Sequence, residues 1–527
     1  MKILIIRTHR LGDVLQLTPL LTGLKEKYPK SQITFVTGSD MVDLLSGNPC
    51  VDEIVSIPEK EYRYFLSNRP DYYAKVYNEV YDLISRLKQK DFDLIINRQY
   101  EFGAVMAFLI GAEETTGGSF SPERSFFFED DVSRELFETI KTKRNTNRMN
   151  LVDWSCHIAC LPSGCSQMTL ALSVIDRWQA SALLEKNGAR KGDSLIAVQM
   201  GAARSFRQWG AENYLLFIKW LLENSDNKVV LLGTVEEKEN AEIIYKGLNI
   251  GRGRIIDLIG KTSIKELGAV LEKCRRLITG DTGTMHVAAA VGTPVIALFY
   301  GTAYPWETGP YGSGHFILFS NTPCAPCLNP ADCPSGHQCR KSMTPEHVWN
   351  AFEIADTLHA EKAVTEEWSW KNVELYITHV ASGYGQKLIP ANELYSLDEK
   401  IFPVGRPAGA CGTPDIISDH LKRFQDKSHL LLHTFFREDK ISFIGHFSEY
   451  VNEWITLIQC VKEINYSDEI QDILSRQLIP VIQDAVRALQ ADDIVTLKDL
   501  VQYEFAVILE NMKPAETKRQ TVLKGCH

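Results

Sequence analysis

The sequence predicts an α/β protein made of two Rossmann-like halves facing each other across a cleft, and three observations carry that expectation. Short apolar runs of strand length alternate with segments of helical spacing from Lys2 as far as Tyr300, the pattern of a parallel sheet covered on both faces. The alternation begins twice, at Lys2 and again at Ser194, so two such units follow one another. At 527 residues the chain also exceeds what one core can organise, since single cores stop growing near ~250–300 residues. The domains are expected at 1–180, 181–361 and 362–527, the last an appended, mainly helical domain of unassigned role.

In the first unit, Lys2–Arg7 reads as a buried parallel strand. Thr8–Gly12 is a loop, and a helix starting at Asp13 carries Leu15, Leu17, Leu20, Leu21 and Leu24 at helical spacing. Strands are expected at Gln32–Thr37, Ile54–Ile57 and Phe92–Asn97, with helices at about 40–46 and 74–89. Residues 115–150 are polar and charged around an aromatic knot, Phe126–Phe128, and read as an excursion over the cleft or an acceptor-facing surface. The segment 149–189 reads as helix broken at Pro162-Ser163-Gly164. Cys156 and Cys160 should share one face of it as packed thiols rather than metal ligands.

In the second unit, strands are expected at Leu195–Gln199 and Lys228–Gly233, and helices at Asn213–Leu222, Glu236–Leu248 and Ile264–Cys274. Leu277–Thr279 is a buried strand, followed by a glycine-rich turn, a short helix with Ala288–Ala290, and a strand Val295–Tyr300 opened by Pro294. The helix 345–360 is placed crossing back onto the first half. Beyond residue 362 the pattern changes: 365–415 reads as irregular, then helical segments follow near 416–426, 446–464, 466–491 and 495–511.

Composition narrows the function. With 44% hydrophobic and 24% charged residues the chain is globular, and a net charge of -10 argues against nucleic acid as partner. No apolar run reaches the ~18–20 residues of a membrane span, and the N-terminus does not read as a secretory leader. A cytoplasmic protein is expected, at most peripheral at the inner membrane.

Two places carry chemistry. In Gly280-Asp281-Thr282-Gly283-Thr284, glycines let the backbone turn sharply and bring N–H groups toward a ligand, and the following helix N-terminus suits a diphosphate. The plainer reading is a strand-to-helix turn capped by Asp281. At Leu11-Gly12-Asp13 a carboxylate sits just past the first strand at a helix N-terminus, which favours its ionised form. Open to a cleft it can act as general base on a sugar hydroxyl; otherwise it only caps its helix.

Taken in order, Arg7-Thr-His-Arg-Leu-Gly-Asp-Val-Leu-Gln-Leu-Thr-Pro19, Pro49-Cys-Val-Asp-Glu-Ile54, the Asp281–His286 stretch with Gly292-Thr-Pro294, Gly309-Pro-Tyr-Gly312, and Cys324–Cys339 with Thr344-Pro-Glu-His-Val348 resemble glycosyltransferase family 9, the heptosyltransferases. The resemblance covers roughly residues 1–360. It implies a GT-B fold and transfer of a heptose from ADP-heptose, with inversion and without a metal or other cofactor. The acceptor would be a lipid-linked or glycan acceptor of lipopolysaccharide-core type at the membrane surface. By the same resemblance Asp13 falls on the catalytic base, and Asp281, Thr282, Gly283, Thr284 and His286 fall on the donor-nucleotide site. Gly201 lies on that side too, and Arg207 falls where the family commonly has a lysine facing the donor phosphates; an arginine keeps the charge but changes the geometry. An acidic residue near the ribose corresponds to Glu236 or Glu237, the latter preferred. Arg7 and Arg10 flank the base and would bind an anionic acceptor such as a Kdo carboxylate, or else are solvated sheet-end arginines.

The chain departs from the family where His-Pro-Gly is replaced by Gln199-Met200-Gly201. On physical grounds a leaving nucleoside diphosphate without a metal needs cations and N–H groups, which Arg204, Arg207 and the 280–284 turn can supply. Cys324, Cys327, Cys333 and Cys339 could hold a structural zinc or iron–sulfur group, or stand as thiols or a disulfide. Two rival functions are a transferase or epimerase using another nucleotide sugar, such as a UDP-hexose, and a catalytically silent sugar-binding or scaffold protein.

Overall fold

The computed structural model describes residues 1–391 apart from 124, 129, 165, 203, 249–251, 328–332, 334, 360–369, 371 and 382–384. The expected helical domain 362–527 therefore lies almost wholly outside the described residues, as do the helical segments expected after residue 416. Residues 1–172 and 179–404 fall in one compact unit, which holds both sheets.

The first sheet contains β1 (Lys2–Ile6), β2 (Gln32–Gly38), β3 (Glu53–Ile57), β4 (Phe92–Asn97), β5 (Ala112–Ser121) and β6 (Ser125–Phe128) in the order β3-β2-β1-β4-β5-β6. The second contains β7 (Leu195–Gln199), β8 (Lys228–Leu232), β9 (Ile255–Asp257), β10 (Arg276–Gly280), β11 (Val295–Phe299), β12 (Phe316–Ser320), β13 (Val373–Ala381) and β14 (Gly385–Pro390) in the order β14-β13-β12-β11-β10-β7-β8-β9. Strands β1–β5 and β7–β12 are parallel within their sheets, while β6, β13 and β14 pair antiparallel at the edges. In each sheet the strand order reverses beside the first strand, between β1 and β4 and between β7 and β10. In open α/β sheets that reversal opens the crevice where ligands bind, at the carboxyl ends of the strands.

The central strands are rich in Ile, Leu and Val because both of their faces are covered. Ile3, Leu4, Ile5 and Ile6 are all fully buried, as are Leu195–Gln199 and Val295–Phe299 nearly throughout. One apolar cluster is continuous between the halves: Ile3, Val14 and Leu15 belong with Leu277, Met285 and Val287. Each such side chain contributes ~1.5–3 kcal/mol on full burial.

Several expectations need correction. The stretch read as an excursion, 115–150, holds most of β5, all of β6 and a helix, Asp131–Thr142. Its inward positions Gly117, Gly118 and Phe128 are buried although its mean polarity is high. The stretch 365–415, read as irregular, contains β13 and β14, so the second sheet continues past residue 361. The helix Pro345–His359 does not cross to the first half: its Val348, Ala351, Phe352 and Ala355 share a core with Phe217, Leu318 and Ile296 of the second. Among the described residues of 149–189 the helices are Leu151–Ile158 and Val174–Lys186. Cys160 lies past the end of the first, exposed and with φ 52°, while Cys156 is buried in it, so the two do not share a helix face.

Candidate active site

Both strand-order reversals end in charged corners. Past β1, the chain turns at Arg10, a non-glycine residue at φ 66°, and enters the short helix Leu11–Leu15 with Asp13 in its first turn. Arg10 is exposed, but Arg7 is 7% exposed, donating to Asp13 Oδ2 and to the Arg98 carbonyl oxygen. Burial, with Arg98 nearby, pushes the Arg7 guanidinium down to about 9. Arg7 thus fixes the carboxylate of Asp13 rather than presenting itself freely to an acceptor.

Past β7 and β10 a second network forms around Gln199. Its Oε1 accepts from Thr279 Oγ1 (2.7 Å) and Thr282 Oγ1 (3.0 Å), and its Nε2 donates to Gly201 O (2.8 Å). Glu237 closes the ring, accepting from Gly201 N at 2.7 Å. A side chain at Gly201 would put its Cβ 2.1 Å from the Glu237 carboxyl carbon, so the glycine is what lets the carboxylate approach. Burial raises the Glu237 pKa against the hydrogen bonds from Gly201 and Thr234.

Asp281 does not cap the helix that follows. That helix, Gly283–Ala290, has Thr282 at its N-cap with no side-chain capping bond. Asp281 instead pairs with Arg207 at 3.1 Å and accepts from Thr308, while Arg207 Nε donates to Thr302 Oγ1. Burial raises the Asp281 pKa, opposed by Arg207 and Arg144. The carboxylate holds its loop and orients the arginine, which reconciles an acidic residue with a place suited to phosphates.

The two corners touch. His286 is 5% exposed with its ring laid on Gly12: a Cβ there would stand 2.4 Å from His286 Cδ2. A Cβ on Gly283 would meet Leu11 at 3.2 Å. Burial lowers His286 to about 4, which leaves the imidazole neutral near pH 7, and among the described residues its Nδ1 has no hydrogen-bond partner. Arg144 of the first half reaches the second, donating to Glu307 Oε2 (2.6 Å) and the Thr302 carbonyl (2.6 Å). Asp153 likewise accepts from Tyr311 Oη (2.7 Å) and Gln386 N (2.9 Å).

A single cavity of about 1690 Å³ lies between these walls. It is lined by Asp13, Arg7 and Arg10 from one side and by Arg207, Glu237, Asp281, Thr282, Gly283, Thr284 and His286 from the other. Gly201 stands just behind the wall through Glu237. A drug-sized ligand needs ~300–1,000 Å³, so there is room for two reactants together. Arg98, Gln199 and Arg144 also line it and were not singled out for this site by pattern; the replacement of the family's histidine by Gln199 was the signal available for one of them.

The cysteine loop is separate. Cys324, Cys327, Cys333 and Cys339 are free thiols, and among the described residues no group of three or more His, Cys, Asp or Glu is arranged to hold a metal. Cys339 is buried, and hydrogen bonds from Ser335 and His337 N lower the Cys333 pKa.

Two Rossmann-like lobes with a shared cleft at their strand-order reversals define the GT-B fold. Residues 80–334 match glycosyltransferase family 9 (heptosyltransferase). The chain is 25% identical over 337 residues to lipopolysaccharide heptosyltransferase 1 of Pseudomonas aeruginosa, covering 62% of this chain and 86% of that one. It is 24% identical over 307 residues to lipopolysaccharide heptosyltransferase 3 of Escherichia coli, covering 56% and 84%. Among solved structures, a family 9 glycosyltransferase from Veillonella parvula aligns with a TM-score of 0.52 at 22% identity, covering 67% of this chain and 96% of that one. The E. coli ADP-heptose lps heptosyltransferase II aligns at 0.50 and 21%, covering 68% and 100%. At family level the activity is heptosyl transfer in lipopolysaccharide-core assembly. Among the described residues no helix is long and apolar enough to cross a membrane.

Proposed function

We propose that this chain transfers a heptose from ADP-heptose to a lipopolysaccharide-core or related glycan acceptor, with inversion and without a metal, at the cytoplasmic face of the inner membrane. The observation that carries the reading is the common cavity: the Asp13 corner and the 280–286 turn open into it and pack on each other through Gly12 and His286.

Asp13, oriented by Arg7, accepts the proton of the acceptor hydroxyl as its oxygen attacks the anomeric carbon. The bond to the ADP oxygen breaks on the opposite face, so one displacement inverts the centre. Arg207 and the N–H groups at the start of Gly283–Ala290 take up the charge appearing on the diphosphate, a role they can fill because they are fixed before reaction. Glu237, held by Gly201 N, would accept a hydrogen bond from a ribose hydroxyl of the donor. The family names of the relatives and the ADP-heptose named for the E. coli fold neighbour support the choice of donor.

Asp13→Asn should fold and bind ADP as the parent does, and lose ~10²–10⁴-fold in transfer. A variant that turns over near the parental rate would remove Asp13 as base. Thermal-shift measurements with ADP-, GDP- and UDP-sugars test the donor: stabilisation by a UDP-hexose alone would move the chain to the rival transferase or epimerase reading. Absence of any transfer with every donor would leave a sugar-binding protein.

A further inference from the structure

Gln199 ends β7, is 4% exposed and lines the cavity between two parts of the second-lobe wall. Its Oε1 accepts from Thr279 and Thr282, while its Nε2 donates to the Gly201 carbonyl and, at 3.2 Å, to Glu237 Oε1. A primary amide has two lone pairs and two N–H bonds, and here all four are used. The orientation is fixed by that chemistry, because a flipped amide would set its oxygen against a carbonyl and a carboxylate. A neutral imidazole, with one donor and one acceptor, could not serve the same four partners.

The bond to Thr282 has a consequence for the helix Gly283–Ala290. Thr282 stands at its N-cap with φ -138° and ψ 166°, the extended conformation of a capping residue. A threonine there ordinarily accepts from a first-turn N–H, as the side chains of Ser263, Asp130 and Asn150 do at their own helices. Thr282 makes no such bond: its hydroxyl is turned to Gln199 Oε1 at 3.0 Å. The first turn of a helix has N–H groups without an intrahelical partner, and here no side chain caps them. Thr282, Gly283 and Thr284 line the cavity, so that unmet capacity lies on its wall. The other end of the amide, together with Gly201 N at 2.7 Å, fixes the Glu237 carboxylate on the same wall.

We propose that Gln199 is a positioning residue for the donor diphosphate: it draws the Thr282 hydroxyl off the helix N-terminus, leaving those N–H groups to phosphate oxygens, and clamps Glu237 in register with them. The inference rests on the nucleotide-sugar reading of this wall and goes beyond it in giving the amide a task.

The test titrates ADP calorimetrically into the full chain, for the parent, Gln199→Met, Thr282→Ala and the two changes together, with thermal unfolding of each apoprotein as the control for folding. Methionine keeps the side-chain length and removes the amide, which frees the Thr282 hydroxyl to cap. Gln199→Met should therefore bind ADP about tenfold more weakly than the parent. With ADP-heptose and core-truncated lipopolysaccharide it should raise the donor KM and leave the acceptor KM unchanged. The double variant has no hydroxyl with which to cap, so it should bind ADP more tightly than Gln199→Met while melting no higher. An amide that only filled out the core would give no such opposition between stability and binding. In the parent, the Gly283 and Thr284 amides should exchange with deuterium readily without ADP and be slowed by it. ADP binding by Gln199→Met equal to the parent's, or a double variant binding no more tightly than Gln199→Met, would overturn the inference. So would Gly283 and Thr284 amides already protected without ADP, a result that does not depend on whether Gln199→Met folds. A parent that binds no ADP would overturn the donor-site reading and this inference with it, whereas a parent that binds ADP with Gln199 indifferent overturns the inference alone.

Discussion

Replacing Gly12 by alanine probes the contact on which the shared cavity depends. The new Cβ would stand 2.4 Å from His286 Cδ2, 3.0 Å from Nε2 and 3.2 Å from Cγ. Carbon atoms pack at ~3.5–4.0 Å, so the ring must retreat by about 1 Å or the two helices must part by as much. The ring has little room, since His286 is 5% exposed on a helix whose residues Met285–Ala290 are all buried. Overpacking of this kind costs ~1–3 kcal/mol. Against it stands the gain from removing a glycine from a helix, ~0.5–1 kcal/mol, because Gly12 lies inside Leu11–Leu15. The overlap wins, so Gly12→Ala should unfold at lower temperature than the parent. Transfer should suffer more than stability, because a 1 Å displacement of reacting groups can cost ~10²-fold. Thermal unfolding and steady-state kinetics on Gly12→Ala, His286→Ala and the double variant form a cycle in which the second change should restore part of the stability lost to the first. An unchanged melting temperature and rate for Gly12→Ala would show that the two corners do not meet through this pair.

Two further expectations follow from groups outside the chemistry. Arg144→Met strands Glu307, 2% exposed, and should cost near the lower end of the ~3–5 kcal/mol typical of a broken buried pair; Arg144→Met with Glu307→Gln should lose less than Arg144→Met alone, and a double variant no more stable than the single would refute the pairing. Burial lowers both His286 and His315 to about 4, so between about 6.5 and 4 the unfolded chain binds protons that the folded one does not. Stability should hold above pH 6.5 and fall as the pH drops toward 4, by up to ~3 kcal/mol per histidine. His315→Gln should flatten the fall in melting temperature over that window, and an unaltered slope would exclude His315 as a source.

What could be read from sequence was what local chemistry dictates. The strands made mainly of apolar residues, such as β1, β7 and β11, announce burial on both faces and stand where expected. Strand β5 escaped because Glu113, Glu114, Thr115 and Thr116 hide it; its place is set by pairing with β4 and β6, a long-range fact. In β13 the alternation is present, Val373, Leu375 and Ile377 buried between Glu374 and Tyr376, but it lies beside stretches of a different character. Asp13 and the 281–286 turn were visible because a strand end and a helix start sit within a few residues. Arg98, Arg144 and Gln199 were harder, since each acquires meaning only from partners brought by the fold: Trp154, Glu307 and Glu237.

The glycines of the two motifs show how a correct location can hide a different cause. Read locally, Gly280 and Gly283 free the backbone to approach a ligand. In the structure, Gly280 has only ordinary neighbours, at 3.7 and 3.9 Å, whereas Gly12 and Gly283 stand at contacts between the lobes, against His286 and Leu11. Their first requirement is therefore interlobe packing, and the ligand benefits indirectly because that packing sets the gap between Asp13 and the donor turn. A base on one lobe and a diphosphate cradle on the other work together only at a fixed separation, and small residues at both corners are what let the two lobes approach to it.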